Sequence, residues 1–330
     1  MDRFENILCV VMGRKSCNGV LQRAVSLAEN NQARLTAIAV APRVSIGMGM
    51  SEGGPISNEL QAAMVKERAQ ELEAVVAPFR GRVKILTKVV VGEQFLEIIR
   101  EVLRNRHDLM VKATEIHEWL DHLLGSEDMH LLRKCPCPVW LIKPSSSKSF
   151  RRVLAAVDVH EIYPSSEMKV RMELNQKILE MASSLALADF AELHVVHAWE
   201  AEGESALLNT LMHMPEEKVK SYIGEVQQLR EEGLNQLMHR MRLKLGQEAM
   251  DFLQPQLHLV KGGARREIPA LARKLDADLV VMGTVARTGI PGYITGNTAE
   301  TILGQLNCSV LAIKPSGFKT PVTLVDRVTS

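Results

Sequence analysis

The stretch ADLVVMGT, residues 277–284, reads as a short buried strand, and a related stretch, HDLMVKAT, occupies residues 107–114. In both, an aspartate precedes a run of apolar residues and a threonine closes the stretch. Continuous apolar runs, as opposed to alternating ones, are typical of strands that are covered on both faces, as in parallel sheets. The recurrence of the stretch indicates that the chain contains two copies of one folding unit.

Further repeated stretches mark the ends of the two copies. They pair FENILCVVM (4–12) with FRRVLAAVD (150–158), VVVGEQFLEIIREVL (89–103) with HLVKGGARREIPALARKL (258–275), and LLRKCPCPVWLIKPS (131–145) with LGQLNCSVLAIKPS (303–316). The middle pair predicts a strand, a glycine turn and an amphipathic helix in each copy. We therefore predict a first domain at residues 1–145, a second domain at 150–316 and a C-terminal tail at 317–330, with serines 145–147 as the linker.

Length and composition limit the function classes. A chain of 330 residues, 46% of them apolar, is long enough for two buried cores. A net charge of +1 gives no field that attracts nucleic acid, and the apolar runs fall far short of the roughly 20 residues of a membrane span. Residues 1–12 lack the basic head and cleavage site of a signal peptide, and five cysteines, an odd number, fit a reducing compartment. We predict a cytoplasmic protein without nucleic-acid or membrane partners.

Each copy is predicted to contain five strands and four helices. In the second copy the strands are expected near 152–158, 191–198, 256–260, 278–283 and 309–313. Short buried strands separated by helices imply right-handed crossovers and a parallel sheet. Each half is thus predicted to be a doubly wound α/β domain, and such domains bind ligands beyond the carboxyl ends of their strands, at the switch point of strand order. This rule places Asp158 and residues 283–298 together at the carboxyl ends of the strands, beside the crevice that we call the mouth of the domain.

Together, these features resemble the universal stress protein family. The resemblance rests on the duplicated five-stranded unit, on Asp158 ending the first strand, and on a loop after the fourth strand that is similar to the family pattern G-x-x-G-x(9)-G-[ST]. It covers nearly the whole chain and is most specific in residues 277–322 and 130–144. It implies a stress-response protein with strand order 3-2-1-4-5 in each domain, and with the fifth strands, Pro138 to Ile142 and Ser309 to Ile313, paired within the chain.

The resemblance also implies a nucleotide site in the second domain. In nucleotide-binding members of the family, the aspartate contacts the adenosine, while the glycine-loop amides and the hydroxyl after the last glycine hold the phosphates. Carried over to this chain, the implied ligand is ATP, with Mg if bound. The candidate residues are Asp158, Gly283, Thr284, Arg287, Gly289, Gly296, Asn297 and Thr298.

Two positions of this loop depart from the family pattern. Ala286 replaces the second glycine, where a left-handed backbone would cost an alanine roughly 1 to 2 kcal/mol, although a right-handed backbone would cost nothing. Asn297 replaces the usual Ser or Thr, and its amide is expected to cap a helix over 298–305. The alternative is a glycine turn that only lets strand and helix pack, with Asp158 merely ending a strand.

The equivalent loop of the first domain predicts no phosphate site. Ala113 occupies the position of the first glycine of the family pattern, and Met12 occupies the position of the aspartate. Residues 113–130 also contain no Lys or Arg, so a polyphosphate would be repelled by the carboxylates there. These are Glu115, Glu118, Asp121, Glu127 and Asp128. We therefore expect any nucleotide site in the second domain alone.

Two common catalytic motifs do not occur in the chain, which has no H-E-x-x-H and no GKS or GKT phosphate loop. The spacing G-x-S-x-G occurs as GMSEG at 49–53, within a glycine- and methionine-rich stretch and not directly after an apolar strand, so it does not predict a nucleophile elbow. We therefore predict a non-catalytic protein that binds a small-molecule ligand and acts through a protein partner or a homodimer. A slow ATPase or nucleotidyl-transfer activity is the enzyme alternative. A hydrophobic metabolite or lipid is the alternative ligand, suggested by methionine-rich segments within 41–56 and 199–214.

A cluster of histidines precedes two cysteines in the first copy. His117, His122 and His130 come shortly before Cys135 and Cys137, but their spacing matches no known zinc pattern. We predict packed or surface roles and no metal site, and a zinc site stays the open alternative.

A long helix is expected around Glu216 to Leu245. Apolar residues recur in it at helical spacing with charges between them, which indicates a core-facing stripe. The stripe consists of Val219, Ile223, Val226 and Leu229. Three histidines of the second copy, His160, His194 and His197, are expected to be ordinary strand-end residues. The alternative for His160 and His197 is a position that borders the mouth of the second domain.

Overall fold

The computed structural model describes residues 4–44, 54–114, 126–144, 149–160, 165–209, 214–284 and 296–324. By their contacts, these residues form two compact units. The first unit contains residues 4–144 together with 307–324, and the second contains residues 149–284 together with 296–306. The last strand of the chain therefore groups by contact with the first half. The predicted domain boundaries at 145 and 150 stay a prediction.

The first half of the chain alternates strands and helices, as predicted. Its elements are β1 (Asn6–Val10), α1 (Arg14–Asn31), β2 (Arg34–Ala41), α2 (Pro55–Val76), β3 (Ile85–Val91), α3 (Gln94–Asn105), β4 (Leu109–Ala113), α4 (Ser126–Lys134) and β5 (Val139–Ile142). A short 3-10 helix, Ala77–Phe79, follows α2.

The second half repeats this order with additional helices. Its elements are β6 (Arg152–Ala156), α5 (Ser165–Asp189), β7 (Glu192–Trp199), α6 (Glu204–Asn209), α7 (Glu216–Leu245), α8 (Gln247–Leu253), β8 (Gln256–Lys261), α9 (Ala264–Lys274), β9 (Leu279–Gly283), α10 (Asn297–Leu303) and β10 (Ser309–Ile313). The prediction of four helices is wrong for this copy, since its described residues form six. The extra residues between β7 and β8 add α6 and α8 on either side of α7.

The sheets have the predicted doubly wound topology. In the first unit the strand order is β3-β2-β1-β4-β5-β10, and neighbours from β3 to β5 are parallel. β10 pairs antiparallel with β5, with Val310 opposite Leu141, so the predicted pairing of the fifth strands is confirmed. In the second unit the order is β9-β6-β7-β8, again parallel. The α/β fold class is confirmed.

The burial of the strands follows their apolar patterns. β1, β4, β5 and β10 are buried along their whole length, as expected for strands covered on both faces. β3 and β8, which have a paired strand on one side in their own unit, include exposed residues. The repeated apolar runs of the sequence therefore form the central strands.

The repeated IKPS sequences place a lysine after each fifth strand. Lys143 Nζ donates to the Asn307 carbonyl at 3.0 Å, and Lys314 Nζ donates to the Leu132 carbonyl and, at 3.5 Å, to that of Arg133. The last two carbonyls belong to the final turn of α4, where helix carbonyls lack intrahelical partners. Burial lowers the pKa of Lys314 to about 8. Each lysine thus donates hydrogen bonds to backbone carbonyls of a segment outside its own strand.

One part of the predicted stripe on α7 is wrong. Val219 is buried, but Leu229 is 48% exposed, and Arg230 is only 4% exposed. The buried face continues from Arg230 through Leu234 and Leu237, at helical spacing. Because neighbouring residues of a helix point about 100° apart, the inward position of Arg230 turns Leu229 toward solvent.

Candidate functional site

The candidate site lies where the strand order of the second unit switches. β6 has β7 on one side and β9 on the other, so the carboxyl ends of β6 and β9 border the crevice in which doubly wound domains bind ligands. Asp158 follows β6, and Thr284 follows β9 directly. The sheet therefore brings these two predicted residues to the same edge. The prediction that Asp158 ends the strand is slightly wrong, because β6 ends at Ala156.

The backbone of Asp158 leaves the sheet because a side chain from α5 binds it. Asp158 N donates to Asn175 Oδ1 at 3.0 Å, and Asn175 Nδ2 donates back to the Asp158 carbonyl at 2.7 Å. Asn175 is buried, so this pair of hydrogen bonds fixes where the Asp158 side chain emerges.

The carboxylate of Asp158 is already in an ion pair. Its Oδ2 accepts a hydrogen bond from Arg171 Nη1 at 2.7 Å, and its Oδ1 accepts one from His160 N at 3.2 Å. The side chain is nevertheless 45% exposed. A ligand can therefore meet this carboxylate from the solvent side while Arg171 holds it in place.

Gly283 has a packing role at the end of β9. A Cβ built on this residue would lie 2.7 Å from Leu174 Cδ2 of α5, which is closer than side chains normally approach. Glycine therefore lets Leu174 lie against the strand end. For Gly283, this observation favours the alternative in which the glycine serves the packing of strand and helix and does not bind phosphate.

The two ends of the glycine loop are tied together. Gly296 N donates to the Thr284 carbonyl at 3.1 Å, and Thr284 is buried. Three predicted loop residues, Ala286, Arg287 and Gly289, lie outside the described residues. The described part of the loop thus consists of its base, at Gly283 to Thr284 and Gly296 to Thr298.

The helix after the loop begins one residue earlier than predicted. α10 starts at Asn297 itself, Gly296 precedes it, and no side chain caps the helix, so the predicted cap by Asn297 is wrong. Thr298 Oγ1 accepts a hydrogen bond from Arg265 Nε, of α9, at 3.4 Å. Arg265 is a cation beside the loop that the sequence pattern did not indicate, because it comes from a different strand-helix connection.

Two histidines border the mouth on the side of β7, which was the alternative for them. His197 is buried, and its Nδ1 faces the Val157 carbonyl at 3.2 Å. Burial lowers the pKa of His197, although the charge of Asp158 opposes this shift. The pKa of His160 is also lowered, first by burial and then by the charge of Arg230. Both imidazoles therefore favour their neutral forms.

Arg230 is the residue at this mouth that the sequence analysis missed. The helix that carries it, α7, approaches the backbone after β6 closely, since a Cβ on Gly233 would lie 3.4 Å from both Cβ and the carbonyl oxygen of Val159. The charge of Arg230 contributes to the lowered pKa of both His160 and His197, after burial in each case. The signal in the sequence was an arginine in register with Leu234, Leu237 and Met241.

The first unit uses its own carboxylates at the equivalent mouth. Glu127 Oε2 accepts a hydrogen bond from Phe95 N, at the start of α3, at 2.9 Å. Lys112 Nζ and Asp128 Oδ1 form an ion pair at 2.6 Å, with both side chains fully buried. In the repeat, Lys112 corresponds to Met282, so the second unit has no such pair there.

The structure describes three of the five residues in the histidine and cysteine cluster, namely His130, Cys135 and Cys137. His130 stacks on the Phe95 ring at a centroid distance of 4.5 Å, and the sulfur atoms of Cys135 and Cys137 lie 3.5 Å apart in the interior. His117 and His122 lie outside the described residues. Among the residues that are described, no three His, Cys, Asp or Glu side chains converge as metal ligands would.

Of the two methionine-rich segments, 45–53 and 210–213 lie outside the described residues, and Glu204–Asn209 forms α6. In the part of the chain that the structure describes, every helix is too short or too polar to cross a bilayer.

Comparisons with known proteins agree on one family. The model of the universal stress protein family matches residues 3–143 and again 149–314. Universal stress protein E of Escherichia coli K12 is 29% identical over 330 residues, 99% of each chain, and its Haemophilus influenzae homologue is 29% identical over 322 residues, 95% of this chain and 98% of the other. The solved structure of a universal stress protein from Pseudomonas aeruginosa UCBPP-PA14 is also similar, with 94% of both chains covered, 27% identity and a TM-score of 0.64.

Proposed function

Because the chain belongs to the universal stress protein family and contains two copies of its domain, we propose that it is a non-catalytic, ligand-binding stress-response protein that takes ATP in its second unit only. The observation that carries the proposal is the difference between the two mouths. The first mouth is occupied by its own carboxylates and their partners, whereas the second presents a half-exposed Asp158 next to the base of a glycine loop.

Charge in the first unit works against a nucleotide. The one lysine of β4, Lys112, is engaged by Asp128 in the interior. Glu127 is held at the start of α3 by its bond to Phe95 N. A polyphosphate would therefore have to displace a buried ion pair or approach a fixed carboxylate, and both are unfavourable.

In the second unit, the proposal assigns the two ends of the ligand to the two strand ends. Asp158 would contact the adenosine from its exposed side. Gly296, Asn297 and Thr298 would meet the phosphates, and Arg265, which already contacts Thr298, would add a charge-assisted hydrogen bond. Mg²⁺ would arrive with the nucleotide. Gly283 contributes by letting Leu174 pack, so its role is to shape the site.

The proposal assigns no catalytic residue, since the sequence contains no H-E-x-x-H and no GKS or GKT phosphate loop. It also includes a cytoplasmic location, which rests on the odd number of cysteines in the sequence. Binding of a protein partner or a second copy of the chain stays a prediction.

The test is a pair of charge substitutions at equivalent positions. Asn297→Asp places a carboxylate at the first residue of α10, and Ser126→Asp does the same at the first residue of α4. An aspartate in the first turn of a helix is compatible with folding, so both variants should keep the parent stability. Isothermal titration with MgATP should show at least tenfold weaker binding for Asn297→Asp and unchanged binding for Ser126→Asp.

Equal losses in the two variants, or no heat of binding in the parent at millimolar MgATP, would contradict the proposal.

A parallel assay of phosphate release tests the non-catalytic part of the proposal. We expect no turnover above the uncatalysed rate, and turnover that disappears in Asp158→Ala would revive the enzyme alternative. A co-purifying apolar molecule, detected by mass, would instead support a hydrophobic ligand.

A further inference from the structure

The side chain of Arg230 is buried, and its Nε has no hydrogen-bond partner among the described residues. Its side chain is 4% exposed, its Nε is buried without a hydrogen bond, and no described residue forms an ion pair with it. Arginine is almost never fully buried unless it is paired, because removing its charge from water is unfavourable. A buried polar group without a partner in a native protein therefore requires an explanation.

The carboxylate that Arg230 would be expected to use is engaged elsewhere. Asp158 forms its ion pair with Arg171, at 2.7 Å. Glu202, which lies 3.7 Å from His160 Nε2, is 75% exposed and so remains in solvent. Arg171 has a second carboxylate, that of Glu167, 3.9 Å from its Nε. Among the described residues no carboxylate forms an ion pair with Arg230, and the two histidines at this mouth favour the neutral form.

A second buried atom at this mouth also lacks a partner. His197 Nδ1 faces the Val157 carbonyl, so Nδ1 carries the proton and Nε2 is a hydrogen-bond acceptor. His197 Nε2 is buried, and no described residue donates to it. The two orphaned groups are complementary, since the guanidinium of Arg230 can only donate and His197 Nε2 can only accept.

The location of these groups separates them from the glycine loop. His197 belongs to β7, and α7, which carries Arg230, packs on β7. The loop base at Gly296 is bonded to Thr284 after β9, on the other side of β6. Gly233 lets α7 approach Val159 on the β7 side. The close approach of α7 therefore brings Arg230 to the β7 side of β6, whereas the described base of the glycine loop lies on the β9 side.

We propose that Arg230 and His197 form a binding site for a small oxyanion that also carries a hydroxyl group, such as hydrogen phosphate or a hydroxycarboxylate. The guanidinium donates to the oxyanion, which it can bind in a bidentate manner, and the ligand hydroxyl donates to His197 Nε2. This site goes beyond the proposed nucleotide function. It shares the mouth with Asp158, whereas the residues proposed to hold the phosphates, Gly296 to Thr298, lie on the opposite side of β6.

The first experiment observes Arg230 directly. In the ¹⁵N-labelled full chain, the Nε–H resonance of Arg230 is identified by its loss in Arg230→Lys. Titration with inorganic phosphate, and separately with lactate, should produce a saturable shift of this resonance for at least one of the two anions. The anion that saturates first identifies the ligand as a phosphate or a carboxylate. Shifts no larger than those given by sodium chloride at the same ionic strength would overturn the proposal.

The second experiment separates a ligand-binding arginine from a structural one. If Arg230 has no ion-pair partner until an anion binds, Arg230→Met removes an unpaired buried charge. The variant should then have a higher Tm than the parent in chloride buffer. It should also lose the rise in Tm that phosphate gives the parent. Arg242→Met, on the exposed surface of the same helix, is the control and should keep the parent response.

A lower Tm for Arg230→Met in chloride, or a full response to phosphate in that variant, would overturn the proposal. The Asn297→Asp variant distinguishes the two sites. It should lose MgATP binding and keep the phosphate-induced shift of the Arg230 resonance. The two proposals can therefore fail separately, because MgATP binding tests the nucleotide site and the Arg230 resonance tests the oxyanion site.

Discussion

The buried ion pair between Lys112 and Asp128 is a difference between the two copies at the scale of single residues. Both side chains are fully buried, and the corresponding positions of the second copy are Met282 and Ala299, both apolar. Removing one member of a buried pair leaves an uncompensated charge, whereas replacing both members with apolar residues is often neutral or stabilising.

We therefore predict opposite results for single and double substitutions of this pair. Lys112→Met alone and Asp128→Ala alone should each lower the free energy of unfolding by about 3 to 5 kcal/mol. The double variant, which copies the second repeat, should recover most of that loss. Urea denaturation followed by tryptophan fluorescence measures the three variants. A double variant as unstable as the sum of the singles would contradict the prediction.

The buried His197 makes stability depend on acid. Its pKa in the folded protein lies below the ordinary value of 6.5 because of burial, so as pH falls below 6.5 the unfolded chain binds a proton more readily than the folded chain. Stability should therefore fall from pH 6.5 downward, through the folded pKa. Thermal unfolding between pH 7 and 5 should show a smaller loss in His197→Asn than in the parent. An identical pH dependence in both would contradict this assignment.

At the scale of elements, Lys314 connects the end of β10 to the last turn of α4 through its bonds to two carbonyls. Burial lowers its pKa from 10.5 to about 8. Between these two values the unfolded chain holds a proton that the folded chain releases, so stability should rise with pH in this window.

The Lys314→Met variant tests this linkage. From pH 7 to pH 9, the free energy of unfolding of the parent should rise by roughly 1 to 2 kcal/mol relative to the variant. Urea denaturation at the two pH values measures the difference. A parent that gains nothing relative to Lys314→Met, or loses stability, would show that the lysine stays charged in the folded protein.

The elements also show what a sequence can predict and where prediction stops. Apolar runs repeated in both copies identified the central strands, because burial on both faces leaves no room for polar residues. The stripe on α7 failed at Leu229 because periodicity assumes that apolar residues face inward, and here Arg230 takes the inward position. The end of β6 was misplaced because Asn175, on the helix that follows the strand, binds the backbone of Asp158.

At the scale of the whole molecule, the two copies share one fold and differ in their mouths. The sequence predicted this asymmetry from Met12 and from the acidic loop of the first copy, since charge is visible without a structure. It did not predict that Lys112 and Asp128 pair in the interior, or that Arg230 is buried without an ion pair among the described residues, because both depend on how a helix packs against the sheet. The fold was thus more predictable than the site.

The account predicts that a nucleotide binds to one copy only, and the stoichiometry of binding tests this most directly. Mass spectrometry of the intact chain under non-denaturing conditions, with MgATP added, should show one bound nucleotide per chain. The bound mass should disappear in Asn297→Asp and persist in Ser126→Asp. Two bound nucleotides, or none at millimolar MgATP, would contradict the central claim that the second unit alone is a nucleotide site.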